Sequence, residues 1–303
     1  MKITMLGSAG NINRIAIPQL IEAGHEVTAI TSHKSRTSAI EALGAKPAVG
    51  SMNDLTFLTN QFANQDVVYL MISGASTDLF ASAQKQAEIF KEAILQSGTK
   101  KIVNLSSVGA QDDRSGTLYA YHFIEDALTS LSDVDVAFVR PVGFYNNLYA
   151  NLDSIKTSQA IYSNIAAATE RKYVDPADIA DVVAQVLVNI PSGKTIRYVV
   201  SDTFTGKEMA AAFSKALSLQ IKYVEITDDQ YADALRDNGV PDSIVIPFVK
   251  SSDLQKQPTQ MYADLKNHKI HNGKIKLADF AKKFAQAYHA GGSAPQAQTV
   301  ISK

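Results

Sequence analysis

Ile3-Thr4-Met5-Leu6-Gly7-Ser8-Ala9-Gly10-Asn11-Ile12-Asn13 decides the fold. The apolar run Ile3–Leu6 suits a short strand buried on both faces, and the stretch Ile12–Ala23 repeats Ile12, Ile15, Ala16, Leu20 and Ala23 near helical spacing before Gly24 stops it. Between them, Gly7 permits a tight turn and Gly10 admits a ligand to the backbone with no Cβ in the way. A strand turning into a helix in this way aims backbone N–H groups and the positive end of the helix dipole at one point, where a diphosphate can sit. A third glycine is usual three residues on; Asn13 stands there, a residue that tolerates unusual backbone angles and can donate a hydrogen bond. The same spacing also serves a tight turn without a ligand, so the strand–turn–helix frame, more than the glycines, carries the dinucleotide reading.

Working outward, further apolar runs at Glu26–Thr31, Lys46–Val49, Val67–Ile72, Lys101–Leu105 and Val134–Val139 alternate with helical patterns. Alternation of this kind predicts βαβ units and a parallel sheet. Asp175-Pro176 caps a helix through Ile179, Val182, Val183, Val186 and Leu187, ended by Pro191-Ser192-Gly193, and Thr195–Val200 reads as the next strand. Beyond it, capping boxes at Thr205-Gly206-Lys207-Glu208 and Thr227-Asp228-Asp229-Gln230, a strand at Ile221–Glu225 and a helix at Leu277–Tyr288 suggest a smaller lobe. The expected fold class is α/β: a Rossmann-type doubly wound parallel sheet with a smaller C-terminal α-rich substrate lobe. Residues 1–150, with a return segment at about 173–200, form the predicted nucleotide-binding domain; 201–290 form the lobe and 291–303 a flexible tail.

Composition narrows the classes. Hydrophobic residues make up 46% and charged residues 19%, with a net charge of −1, so no nucleic-acid partner is expected. The absence of cysteine excludes disulfides, thiolate zinc sites and cysteine nucleophiles. No apolar run reaches the roughly 18 to 20 residues a membrane span needs, and the N-terminus reads as a strand rather than a signal peptide, so a cytoplasmic protein is expected.

The end of the second strand bears on cofactor choice. An acidic residue there would hold the ribose hydroxyls of NAD. The sequence instead runs Ile30-Thr31-Ser32-His33-Lys34-Ser35-Arg36, whose hydroxyl and cationic groups suit a 2′-phosphate, so NADP is favoured with NAD as the alternative.

Gly7-Ser-Ala-Gly10, Ser106-Ser107-Val108-Gly109-Ala110, Arg140-Pro141-Val-Gly143-Phe144-Tyr145-Asn146-Asn147 and Asp175-Pro-Ala-Asp178-Ile179-Ala180-Asp181 occur in an order that resembles the NmrA-like atypical short-chain dehydrogenase/reductases. The resemblance covers most of residues 1–290. It implies that Gly7, Ser8, Ala9, Gly10, Asn11 and Ile12 line the pyrophosphate, and Ser32, His33, Lys34 and Arg36 the adenosine phosphate. Relatives often carry arginine where Ser32 stands, which leaves compensation to Lys34 or Arg36. Ser51 and Met52 fall near adenine. Met71-Ile72-Ser73-Gly74 falls beside the ribose and nicotinamide, Ser106 belongs to the cofactor set, and Gly143, Phe144 and Tyr145 face the nicotinamide and substrate.

Ordinary short-chain dehydrogenases pair a proton-donating tyrosine with a lysine one helical turn away. Aligning Glu125 with the glutamate of relatives puts Thr117 in the tyrosine place and Tyr121 in the lysine place. The available substitutes are His122, Tyr121 and Tyr119, each of which also suits a purely structural role on a helix. His268 and His271 are three apart but flanked by lysines, so no metal site is expected. The resemblance implies a reductase of quinones or small electrophilic carbonyls, or else a non-catalytic NADP(H)-binding redox sensor acting through a protein partner. A nucleotide-sugar epimerase or dehydratase ranks last, because it needs the missing acid.

Overall fold

A computed structural model describes residues 1–72 and 78–291. The first half runs β1 (Lys2–Met5), α1 (Asn13–Glu22), β2 (Glu26–Thr31), α2 (Thr37–Glu41), β3 (Lys46–Val49), α3 (Leu55–Phe62), β4 (Val67–Met71), α4 (Leu79–Ser97), β5 (Lys101–Leu105), α5 (Ala120–Thr129) and β6 (Asp135–Pro141). It continues with β7 (Gly143–Phe144), α6 (Leu152–Ser158), β8 (Ala160–Ser163), β9 (Glu170–Val174), α7 (Pro176–Val188), β10 (Lys194–Val200), β11 (Asp202–Thr205) and α8 (Gly206–Leu217). The last elements are β12 (Lys222–Glu225), α9 (Asp228–Asp237), α10 (Asp242–Gln255), α11 (Pro258–Met261), β13 (Lys269–Asn272) and α12 (Leu277–His289).

Eight strands form one sheet in the order β13-β10-β6-β5-β4-β1-β2-β3, parallel throughout. The strand order reverses between β1 and β4, which opens a crevice outside their carboxyl ends. Alternation along each strand fills both faces: Val67 and Tyr69 of β4 join the core under α1 and α7, while Val68 and Leu70 join the core under α3, α4 and α5. This is the predicted doubly wound sheet. Both capping boxes form as read, Thr205 with Glu208 and Thr227 with Gln230.

A second core holds the lobe together, built from Tyr145, Tyr149, Tyr173, Phe204, Phe213, Phe280 and Phe284. Two small sheets, β11-β9-β7 and β12-β8, frame it. The chain crosses between the bodies more often than a cut at residue 201 suggests. Residues 145–161 already belong to the lobe core, and β13 leaves the 201–290 stretch to pair with β10 in the main sheet. β13 reads Lys-Ile-His-Asn, too polar to announce a strand; an edge position lets those side chains stay wet. The expected tail lies outside the described residues from 292 onward. Among the described residues, no helix is long and apolar enough to cross a membrane.

Candidate cofactor cleft

The loop between β1 and α1 is shaped by its own sequence. Gly7 has a φ of +101°, a conformation L side chains rarely adopt, and a Cβ there would lie 2.5 Å from the Met71 sulfur. A Cβ on Gly10 would meet the Gly7 carbonyl at 3.0 Å. Asn13 is buried beneath the turn, and its side-chain amide donates to the Leu6 carbonyl at 2.8 Å and the Ser8 carbonyl at 2.9 Å. The residue in place of the third glycine therefore braces the loop from inside. Ser8 N–H donates to the Ile30 carbonyl, tying the loop to β2, while its hydroxyl is enclosed without a partner. α1 follows Ile12 as its N-cap residue, with no side-chain cap and no acid in its first turn. Glycine-shaped backbone, an open helix start and an orphaned hydroxyl fit the diphosphate of a dinucleotide. Ala9 and Asn11 complete the turn, both half-buried.

On the adenosine side, Ser32, His33, Lys34 and Arg36 are all exposed just past β2, with Lys34–Arg36 in a single 3-10 turn. No carboxylate occupies the turn. Ser51 is exposed after β3, its hydroxyl accepting from Asn53 N–H, and Met52 packs partly against the core below α3. Arg14, which the sequence reading passed over, is the second residue of α1 and exposed. Burial and Asp175 push the Tyr149 hydroxyl upward in pKa, and the charge of Arg14 opposes them. A cation in the first turn of a helix is unfavourable unless an anion is bound nearby.

The nicotinamide side departs further from expectation. Ile72 closes β4 and is buried; Ser73 and Gly74 lie outside the described residues. The Ser106 hydroxyl turns inward to Glu125 at 2.5 Å. Gly143 and Phe144 form β7, half-buried beside β9. Tyr145, expected to face the nicotinamide, is fully buried in the lobe, stacked on Phe280 at 4.8 Å and on Tyr173 at 5.9 Å. Burial, then the carboxylates of Asp202, Asp175 and Asp178, push its pKa well up, so it is a poor proton donor.

The three catalytic candidates lie at the start of α5. His122 stacks on Tyr119 at 4.7 Å and meets Phe123 edge-on, in a cluster that continues to Phe80 of α4. Tyr121 packs on the apolar group containing Ile72, Ile244 and Val245, which Phe80 and Phe123 also join, and burial raises its pKa. Thr117, in the tyrosine place, is buried and engaged: its N–H donates to Ser251 Oγ at 2.9 Å, and the two hydroxyls lie 3.0 Å apart. Gly116 makes that contact possible. With a φ of 61° and ψ of −123°, it lets α10 sit so close that a Cβ would lie 2.1 Å from the Pro247 carbonyl.

Behind this site runs a buried polar network that spacing alone could not have revealed. Arg140 Nη2 meets Glu125 at 2.5 Å, and Arg140 Nη1 reaches Asp264 at 3.0 Å, Tyr198 at 2.9 Å and Gln111 at 3.1 Å. His268 lies 3.3 Å from Asp264, while His271 is part of β13. The Asp178 carboxylate accepts from Ser201 and from the N–H groups of Lys274 and Ile275, which ties α7 to the segment after β13. The Asp178 of the sequence motif is thus a structural acceptor that fixes the end of β10 and the turn after β13.

A doubly wound sheet with a glycine-turned, open helix start at its switch point defines a Rossmann-type nucleotide-binding protein. Residues 7–190 match the profile of the NAD(P)H-binding family, and the chain belongs to that family. An NAD(P)H azoreductase from Xenophilus azovorans is 24% identical over 80% of this chain and 83% of its own. Among solved structures, the NADPH-dependent quinone oxidoreductase of Escherichia coli in complex with NADPH superposes with a TM-score of 0.77 at 19% identity, covering 93% of this chain and 99% of the other. The Citrobacter sp. triphenylmethane reductase complexed with NADP(H) gives 0.74 at 18% identity, covering 93% and 99%. These structural neighbours share the overall fold of this chain.

Proposed function

We propose that this protein is an NADPH-dependent reductase of quinones or other small, flat electrophiles. The observation that carries the reading is the engagement of Thr117 by Ser251, which leaves no acidic side chain in the place of the usual proton donor. Bound NADPH supplies a hydride. The chain's part is to hold the diphosphate at Gly7–Ile12 and to wall the acceptor with Phe144; water supplies the proton that completes the two-electron reduction. A quinone tolerates this arrangement because it is electrophilic before protonation, whereas an alcohol–ketone interconversion needs a positioned acid. The azoreductase relative and the quinone-reductase neighbour support the same chemistry. Steady-state oxidation of NADPH against a panel of quinones, enones and azo compounds tests it: turnover well above background with a quinone is expected, and none with any acceptor sinks it.

The alternative, a non-catalytic NADP(H)-binding sensor, draws support from the closure of α10 over Gly116. It predicts tight cofactor binding with no turnover, so the same panel separates the two.

Lys34 and Arg36 are proposed to hold the 2′-phosphate. Replacing both with alanine should weaken NADPH about 10- to 100-fold by calorimetry, the scale of two charge-assisted contacts, while NADH changes little. Equal losses for both cofactors would show that the pair does not read the phosphate.

A further inference from the structure

Arg171 of β9 is the cation in the lobe that the cofactor cleft does not explain. Its guanidinium lies over the Tyr173 ring, 5.5 Å from the centroid, and its Nε is enclosed with no hydrogen-bond partner. The ionisable groups acting most strongly on it are Tyr173, Tyr223, Tyr262 and Tyr231, with no carboxylate among them. Arg171 is half-buried; among the described residues the fully buried Arg140 is by contrast matched by Glu125 and Asp264. An enclosed Nε–H without an acceptor is costly, and an anion that reaches the guanidinium would satisfy it.

The place of Arg171 in the fold suggests what that anion belongs to. β9 pairs with β7, setting Tyr173 opposite Gly143 at the start of the lobe. The Tyr223 hydroxyl donates to the Ile165 carbonyl, neighbouring Asn164 donates to Ser252 of α10, and Ser251 beside it holds Thr117. A continuous set of contacts therefore joins the tyrosines around Arg171 to the vacated proton-donor position. Tyrosine rings offer flat apolar faces, and a guanidinium fork matches the planar oxygens of a carboxylate or sulfonate.

We propose that Arg171 and the tyrosines around it form the subsite that takes the anionic group of a flat aromatic acceptor. The inference rests on the reductase reading for the acceptor's role, but not for the site itself. It is tested on the full chain with 2-naphthalenesulfonate and the neutral 2-naphthol, by calorimetry with and without NADPH. The sulfonate should bind at least about tenfold more tightly than the naphthol, and Arg171→Met, which keeps the stem over Tyr173, should remove that preference. Arg171→Lys should restore part of it, since charge returns without the fork. In turnover, the ratio of kcat/KM for a sulfonated over a neutral acceptor should fall by a similar factor in Arg171→Met, through KM.

Sulfonate affinity within twofold of wild type in Arg171→Met, with melting temperature unchanged, would overturn the proposal, as would failure of the wild-type chain to bind the sulfonate. If no acceptor turns over yet the sulfonate still binds through Arg171, the reductase reading falls and the anion subsite stands.

Discussion

Gly7→Ala is expected to weaken NADPH binding by about 10- to 100-fold, equivalent to roughly 1–3 kcal/mol of backbone strain placed in the phosphate loop. The reason is chiefly conformational. The contact a new Cβ makes is with the Met71 sulfur, the flexible end of a side chain that can move aside, but the φ of +101° cannot be relaxed without turning the peptide groups proposed to meet the diphosphate. Melting temperature should fall by less than affinity suggests, because the loop is one turn of a large body. Calorimetry with NADPH and with NADH checks the result; both cofactors should suffer, since both carry the diphosphate. Affinities within twofold of wild type would mean that the cofactor does not rest on this backbone.

The largest stability effect should come from Arg140→Ala, with a loss of about 3–5 kcal/mol in equilibrium urea unfolding, because the Glu125 carboxylate is left buried beside the Ser106 hydroxyl alone. Truncating one partner is worse than removing both. A double change, Arg140→Met with Glu125→Leu, should recover most of the loss, since the fully buried pair is gone and the half-buried Asp264 keeps Tyr198 and His268 beside it. A single-variant loss below about 1 kcal/mol would show that Glu125 is readily hydrated or neutralised there. The same network confers acid sensitivity. Burial works to raise the Asp264 pKa, but hydrogen bonds from Tyr198 and Asn267 and the charges of His268 and Arg140 hold it below the usual 3.8. A carboxyl depressed in the folded state adds stability above its unfolded pKa and loses it as pH falls through the folded value. Asp264→Asn should therefore flatten the stability profile below about pH 4.

Local signals were the legible ones. The β1–turn–α1 unit, the alternating apolar strands and both capping boxes depend on residues a few positions apart, so their chemistry is written in consecutive letters. β13 and β9 were not legible, because their polar sequences become strands only through the neighbours they pair with. Arg171 gave no sequence signal at all. A lone arginine in a mixed stretch is ordinary until the fold lays it over a tyrosine ring with its Nε enclosed.

The sequence by itself determined the nucleotide-binding half: apolar alternation sets the sheet, and glycines at the first turn set the loop, since both follow from backbone sterics and local burial. Tertiary structure alone decided which aromatic and polar groups of the motifs are withdrawn into the interior. Tyr145, a motif neighbour of Gly143, is drawn into the lobe core by Phe280, and Thr117 is taken up by Ser251 from α10. Those outcomes depend on contacts between residues more than a hundred positions apart, whose free energies arise only once the sheet has brought them together.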